Sequence, residues 1–97
     1  MNPLICKAIQ EMKLLEFYYD SHYRKVEPHT YGVSANGNEM LVAFQRRGGS
    51  KEGKVHYWKQ FNVDKIERLN ILNESFEKPR PDYVKGNKKI KVVYCEL

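Results

Sequence analysis

The sequence contains few cysteines, and this scarcity excludes two classes of protein. Only Cys6 and Cys95 are present, near opposite ends of the chain and without metal-ligand spacing. This count excludes a disulfide-dense secreted scaffold and a cysteine-based zinc site. Two interpretations of the pair stay open: a disulfide that joins the ends of the chain, or two reduced structural thiols. The second is favoured, because a cytosolic protein keeps its thiols reduced.

Long hydrophobic runs are also missing. No apolar run approaches the roughly 18 residues that a bilayer-spanning helix needs. The first residues do not form the continuous apolar core of a signal peptide, because Lys7, Gln10 and Glu11 interrupt them. The sequence therefore predicts a cytoplasmic protein that does not associate with a membrane.

No motif for catalysis or metal binding is present. The glycine-rich stretch 48–51 lacks the spacing of a phosphate-binding loop, and no helix is predicted to follow it. The three histidines, His22, His29 and His56, do not share a spacing that indicates a metal site. Neither a catalytic triad nor a pair of catalytic carboxylates can be recognised. We therefore expect a protein that is not an enzyme and that carries no metal or cofactor.

What the sequence does contain is enough apolar material for one small core and an uneven positive charge. Hydrophobic residues make up 41% of the chain and aromatic residues 12%, which suits a single folded domain over 1–97. The formal charge is +5, yet residues 1–27 hold four basic and four acidic side chains. The whole excess thus falls in residues 28–97. A localised excess favours an anionic partner, although a basic surface also serves solubility.

The beginning of the chain has the pattern of a short amphipathic helix. Asn2-Pro3 is typical of a helix cap followed by a first-turn proline. Apolar residues then recur with helical period, which predicts a helix over 3–13. Its apolar side is expected to cover the following sheet, and a partner surface is the alternative.

The remainder predicts strands. Apolar and polar residues alternate with period two across most of residues 14–72, which indicates about five short strands. Pro28 lacks a backbone donor and marks an edge or a bend, and Asn36-Gly37 is a strong hairpin signal. Residues 77–97 form an extended basic segment, whose lysines either protect a sheet edge or extend an anion-binding track. The predicted class is mainly β, a small barrel preceded by a helix.

The order of these segments resembles the WYL domain family over residues 4–80. In chain order, the matching segments are the opening helix, 15–19 (LEFYY), 24–29 (RKVEPH), Tyr31-Gly32, Asn36-Gly37, 40–44 (MLVAF), 58–66 (WKQFNVDKI), Phe76 and Pro79. Glu39-Met40-Leu41 stands where the family has its Trp-Tyr-Leu tripeptide, and Lys59, Asn62 and Lys65 stand where arginines are common. The resemblance implies an Sm-like β-barrel that serves as a regulatory ligand sensor or a single-strand binder.

Basic and aromatic residues of these segments are the candidate ligand-binding residues. They are Arg24, His29, Tyr31, Gln45, Arg46, Trp58 and Lys59. Guanidinium and ammonium groups neutralise phosphate, and flat rings stack on bases. We therefore expect a non-catalytic module that recognises single-stranded DNA, RNA or a nucleotide-type anionic ligand. The alternatives are that these rings simply fill the core, and that the chain is a protein-interaction or homodimerisation subunit that does not bind nucleic acid.

Overall fold

The computed structural model of the chain describes residues 1–49 and 57–97. It contains one helix, six strands and one 3-10 turn, of which the helix is α1 (Pro3–Glu11). The other elements are β1 (Lys13–Tyr19), β2 (His22–Ser34), β3 (Glu39–Gly48), β4 (Tyr57–Asn62), the 3-10 turn Val63–Lys65, β5 (Glu67–Ser75) and β6 (Ile90–Glu96). The prediction of a mainly β chain with an N-terminal helix is confirmed. The described strands number six: five occupy about the predicted range 14–72, and the sixth lies in segment 77–97, which was predicted to be extended.

Both ends of helix α1 are determined by capping interactions of neighbouring residues. The Asn2 side-chain oxygen accepts a hydrogen bond from the Leu4 backbone N–H at 2.9 Å, and a proline occupies the first turn. Met12 adopts a left-handed conformation with φ of 53° and terminates the helix. The helix is therefore shorter than the predicted 3–13. Its buried residues, Ile5, Cys6, Ala8 and Ile9, pack against the sheet.

All the strands pair in antiparallel fashion, in the order β4-β3-β2-β1-β5. The long β2 carries β3 along one edge, and on the other edge it pairs first with β1 and then with β6. The register shifts between Pro28 and Thr30, so Pro28 lies at a bend of a central strand rather than at a sheet edge. Across residues 1–49 and 57–97 no pairing joins β4 to β5, and the sheet is not closed into a barrel.

The hairpin between β2 and β3 forms at Asn36-Gly37 as predicted. Gly37 has φ of 88°, a conformation that glycine adopts without strain. Its N–H donates to the Ser34 carbonyl at 2.9 Å, and the Ser34 N–H donates to the Asn38 carbonyl at 2.9 Å. This turn fixes the register of β2 against β3, and so determines which β3 side chains face the core.

The core lies between α1 and the concave face of the sheet, which we call the inner face. The rings of Phe17 on β1 and Phe61 on β4 meet edge to face at 4.9 Å, although β2 and β3 separate their strands within the sheet. The Asn62 N–H also donates to the Tyr19 hydroxyl at 3.0 Å. These contacts show that the sheet curls strongly around its core.

The two cysteines are joined, which corrects the expectation of reduced thiols. Cys6 on α1 and Cys95 on β6 form a disulfide, with their Cα atoms 5.6 Å apart. The sequence could not reveal this proximity, because 89 positions separate the two residues and β6 reaches α1 only by pairing with β2. Within the described residues, no helix is long and apolar enough to cross a membrane.

The predicted extended segment 77–97 has two parts with different structures. Its end is strand β6, and residues 76–89, which we call the strap, are irregular. The strap begins at Phe76, whose ring is buried and whose N–H donates to the Met12 carbonyl at 3.0 Å. It then crosses the convex side of β3 and β4, which we call the outer face.

Candidate functional site

The outer face is formed by alternate residues of β3 and β4. Phe44 is paired with Trp58, and Val42 with Gln60. Directly paired residues of antiparallel strands point to the same side of a sheet. Leu41, Ala43 and Gln45 point to the inner face instead, where they are fully buried.

Arg80 fastens the strap to this face. Its Nε and Nη2 donate to the two carboxylate oxygens of Glu27 at 3.0 and 2.9 Å, and its guanidinium lies 3.8 Å from the centre of the Phe44 ring. The Glu27 side chain is only 5% exposed, and Arg46 also approaches it at 3.5 Å. A bidentate arginine pair stacked on a ring has a defined geometry, so the position of Arg80 is fixed.

His29 provides a second attachment for the strap. The histidine is fully buried, and its Nε2 accepts the backbone N–H of Arg80 at 3.1 Å. Nδ1 therefore carries the hydrogen and donates to the Glu27 carbonyl at 2.9 Å. The His29 ring also contacts the rings of Trp58 and Tyr83, with centroids 4.7 and 4.9 Å away. Burial lowers the pKa of His29, which favours the neutral ring that this geometry requires.

An open pocket of about 720 Å³ lies between the strap and the end of the sheet, within the usual range for small-molecule sites. We call it the aromatic pocket; it is lined by Thr30, Val42, Tyr57, Trp58, Lys59, Gln60 and the strap residues 82–88. The Trp58 indole N–H donates to the Asp82 carboxylate at 2.7 Å. The Trp58 and Tyr83 rings are nearly parallel, with centroids 6.1 Å apart. The Trp58 ring is thus held by its hydrogen bond to Asp82 and by its contact with the Tyr83 ring.

A second cavity of about 400 Å³ lies beside the first and is strongly cationic. We call it the basic groove; its walls are Lys25, Phe44, Arg46, Arg47, Glu74 and Arg80. Lys25 forms an ion pair with Glu74. The hydrogen bond from Lys25 lowers the pKa of Glu74, and the charges of Arg46 and Arg47 act in the same direction. The field of the arginines therefore extends across the groove.

Four of the seven residues predicted from the sequence lie in or beside these cavities. Trp58 and Lys59 line the aromatic pocket, His29 packs beneath Trp58, and Arg46 lines the basic groove. Their arrangement is compatible with ligand contact, and their role in binding stays a prediction.

The other three predicted residues lie on the inner face. Arg24 is 3% exposed, donates to the Gln45 side-chain oxygen at 3.1 Å and lies over the rings of Tyr19 and Phe61. Gln45 in turn donates to backbone carbonyls at the end of β3. The Tyr31 hydroxyl donates to Glu39 and is buried in the core; burial is the main cause that raises its pKa. The structure therefore does not bring these three together with the four residues that lie in or beside the two cavities.

Several pocket and groove residues were not among the seven candidates, although the lysines of 77–97 were considered as an extension of an anion-binding track. The pocket and groove residues outside the seven are Lys25, Arg47, Arg80, Asp82, Tyr83, Lys85 and Lys88. One signal was available, because Tyr83 is an aromatic residue inside a basic stretch bounded by Pro81 and the lysines that follow. Part of the glycine-rich stretch 48–51, namely residues 50 and 51, and His56 lie outside the described residues.

The chain was compared with known families, curated proteins and solved structures. No family model, curated protein or solved structure matches it. Within residues 1–49 and 57–97, no group of three histidine, cysteine or acidic residues is placed to hold a metal ion. The two cavities beside the strap are the features of the described residues that bear on function.

Proposed function

We propose that this chain is a non-catalytic binding module for a nucleotide-type anionic ligand, either a free nucleotide or part of a single-stranded nucleic acid. The observation that carries the proposal is the composition of the aromatic pocket. Three aromatic residues, Tyr57, Trp58 and Tyr83, and three lysines, Lys59, Lys85 and Lys88, line one cavity. Rings of this kind stack on bases for about 1–3 kcal/mol each, and ammonium groups neutralise phosphate.

The charge balance of the pocket supports an anion. Asp82 is the single carboxylate among the described lining residues, and it accepts the Trp58 indole N–H. Lys85 and Lys88 are exposed on the strap side of the pocket. Because the indole N–H is already bonded, Trp58 contributes to binding through its ring faces and edge rather than through its donor.

Three features support the further proposal that the chain is a divergent WYL domain with an Sm-like barrel. The sheet curls until β1 and β4 side chains meet across the core, and the helix precedes the first strand. Lys59, which stands at a position where that family commonly has arginine, lines the aromatic pocket. Under this proposal the domain acts as a regulatory sensor whose ligand binds beneath the strap.

The experiment uses Trp58 as its probe, since it is the only tryptophan in the chain. Adenosine monophosphate, adenosine triphosphate and a twelve-residue oligothymidylate are titrated at low salt while Trp58 fluorescence is followed. We expect a saturable change with at least one of them, weakened by added salt. A parallel thermal-denaturation series should show stabilisation, because a ligand at about 100 times its Kd adds about 2.7 kcal/mol.

The matched variants distinguish binding in the pocket from a general effect of the positive net charge. The Lys85→Ala/Lys88→Ala double variant removes two lysines of the pocket, and Lys7→Ala/Lys65→Ala removes two exposed lysines of α1 and the 3-10 turn. Both lower the net charge equally. Binding should weaken in the first and stay close to wild type in the second. Equal weakening in the two, or no response to any of the three probes, contradicts the proposal.

A further inference from the structure

The basic groove and the aromatic pocket are neighbours on the outer face. Phe44 forms a wall of the groove, and its ring meets the Trp58 ring edge to face at 5.8 Å. On the strap, Arg80 belongs to the groove and Asp82 to the pocket, with one residue between them. The two cavities are therefore connected through the Phe44–Trp58 contact and through residues 80–82 of the strap.

The cations of the groove differ in how strongly the protein already uses them. Arg80 is committed to Glu27 through two hydrogen bonds and is stacked on Phe44. Arg46 is 41% exposed, and its ion pair with Glu27 engages one nitrogen of a group that has five N–H donors. Arg47, next to it, is exposed. Arg46 and Arg47 thus have N–H groups that can donate hydrogen bonds to a further anion.

Glu74 is the carboxylate that lines the groove beside these cations. It lies on β5, at the end of the sheet, and its side chain is 55% exposed. Its carboxylate pairs with Lys25 and is within the electrostatic reach of Arg46 and Arg47. An exposed ion pair of this kind has a small net strength, so a more highly charged anion can displace the carboxylate.

We propose that the basic groove is a phosphoryl-binding subsite formed by Lys25, Arg46 and Arg47, and that Glu74 is the carboxylate which a bound phosphoryl group displaces. The inference rests on the proposed function, because it places the ring of the same ligand in the aromatic pocket. The phosphoryl group has two sources, the terminal phosphate of a nucleoside triphosphate or a backbone phosphate of a single strand. A phosphoryl group carries more negative charge than a carboxylate and offers more acceptor oxygens to arginine.

The test is the substitution Glu74→Gln, which removes the competing charge and retains the shape of the side chain. The matched control is Glu67→Gln, the same change at an exposed position of the same strand, outside both cavities. Trp58 fluorescence is titrated with adenosine monophosphate, adenosine triphosphate and the twelve-residue oligothymidylate. We expect Glu74→Gln to lower the Kd of the triphosphate, the oligonucleotide or both by roughly two- to fivefold. Monophosphate binding should change no more than in the control.

Arg47→Gln supplies the complementary result. Because it removes one phosphate contact, it should weaken the ligand that Glu74→Gln strengthens, and for the oligonucleotide the log–log salt slope should become smaller by about one. A gain with the triphosphate alone identifies the terminal phosphate, and a gain with the oligonucleotide alone identifies a backbone phosphate; either supports the subsite.

The outcomes separate this inference from the proposed function. If wild-type protein responds to none of the probes, the proposed function itself fails. If wild-type protein binds but Glu74→Gln and Glu67→Gln change affinity equally, the pocket remains and the phosphoryl subsite is overturned. Both glutamates are exposed, and melting curves establish that the variants are folded.

Discussion

The two faces of the sheet use similar residue types in different ways. On the inner face, Arg24 is buried between the rings of Tyr19 and Phe61 and donates to Gln45. On the outer face, Arg46 is 41% exposed and borders an open groove. Both are arginines in consecutive strands of one small domain. The inner arginine is part of the core, whereas the outer one is partly exposed to solvent.

Strand β3 shows how close the two situations lie in sequence. Gln45 is fully buried on the inner face, and its neighbour Arg46 lies on the outer face. Side chains alternate along a strand, and a shift of the β2–β3 register at Arg46 allows Arg47 to line the groove as well. A basic residue can therefore be predicted from the sequence as a candidate for binding. Whether its side chain is accessible depends on the face of the sheet to which it points.

The largest effect that distinguishes the faces is expected from two substitutions on β4. Phe61 is 1% exposed and contacts Phe17 and Tyr19, so Phe61→Ala should lower the free energy of unfolding by about 3–5 kcal/mol. Trp58 is partly exposed, and Trp58→Ala should cost about 1–2 kcal/mol because part of its ring already contacts water. Denaturant unfolding followed by circular dichroism measures both.

Binding should show the opposite order. Trp58→Ala should abolish or strongly weaken nucleotide binding measured by calorimetry, because it removes a stacking surface of the pocket. If Trp58→Ala destabilises the protein as much as Phe61→Ala and leaves binding intact, then Trp58 is a core residue and the comparison between the faces collapses.

The next largest effect on stability is expected from breaking the disulfide, which lies on the inner-face side of the sheet. Cys6 and Cys95 are 89 positions apart, so their bond restricts almost the whole unfolded chain. Breaking it should lower the free energy of unfolding by about 2–4 kcal/mol. Because the bond joins α1 to β6, ligand binding by the folded protein should be nearly unchanged.

Unfolding with and without a reducing agent measures this effect. The Cys6→Ser/Cys95→Ser variant is the control, since its stability should not respond to the reducing agent. A wild-type protein whose unfolding is equally insensitive has reduced thiols in solution, which reinstates the first expectation from the sequence.

Local features of the fold could be predicted from the sequence, and long-range ones could not. The cap at Asn2-Pro3 and the turn at Asn36-Gly37 depend on neighbouring residues, and both form as predicted. The Cys6–Cys95 pairing depends on where β6 lies relative to α1, which no local pattern encodes. Period-two alternation identified strands in 14–72 but gave neither their order nor the curvature of the sheet.

The residues of the candidate site also divide into those that the sequence could predict and those that depend on long-range contacts. Trp58 and Lys59 were found by type and do line the aromatic pocket. The opposite wall is the strap, whose path is determined by contacts such as the ion pair of Glu27 with Arg80, 53 positions apart. An irregular segment without hydrophobic period gives no sign of the surface it will cover. Tyr83 was therefore missed although it is part of the same aromatic cluster.

The smallest predicted effect concerns pH and depends on His29. Burial lowers the pKa of His29 below its ordinary value of 6.5, so the unfolded chain binds a proton more readily than the native protein does. Stability should therefore be complete above about pH 7.5 and decrease as the pH falls through 6.5, by at most about 1.4 kcal/mol per pH unit for one proton. Glu16, Glu39 and Glu74, whose pKa values are lowered from 4.5, contribute only at lower pH.

The interval from pH 7.5 to 5.5 spans the ordinary pKa of histidine, so variants are needed to assign the loss to His29. Glu27, Arg80 and Asp82 are the charged groups that act on it. Denaturant unfolding at the two pH values should show the loss in wild type and in His22→Asn, and a flat profile in His29→Asn. Loss of an equal size in His29→Asn would assign the dependence to another group. Protonated Nε2 cannot accept the Arg80 N–H, so hydrogen exchange in the strap should accelerate at pH 5.5 while the inner-face strands stay protected.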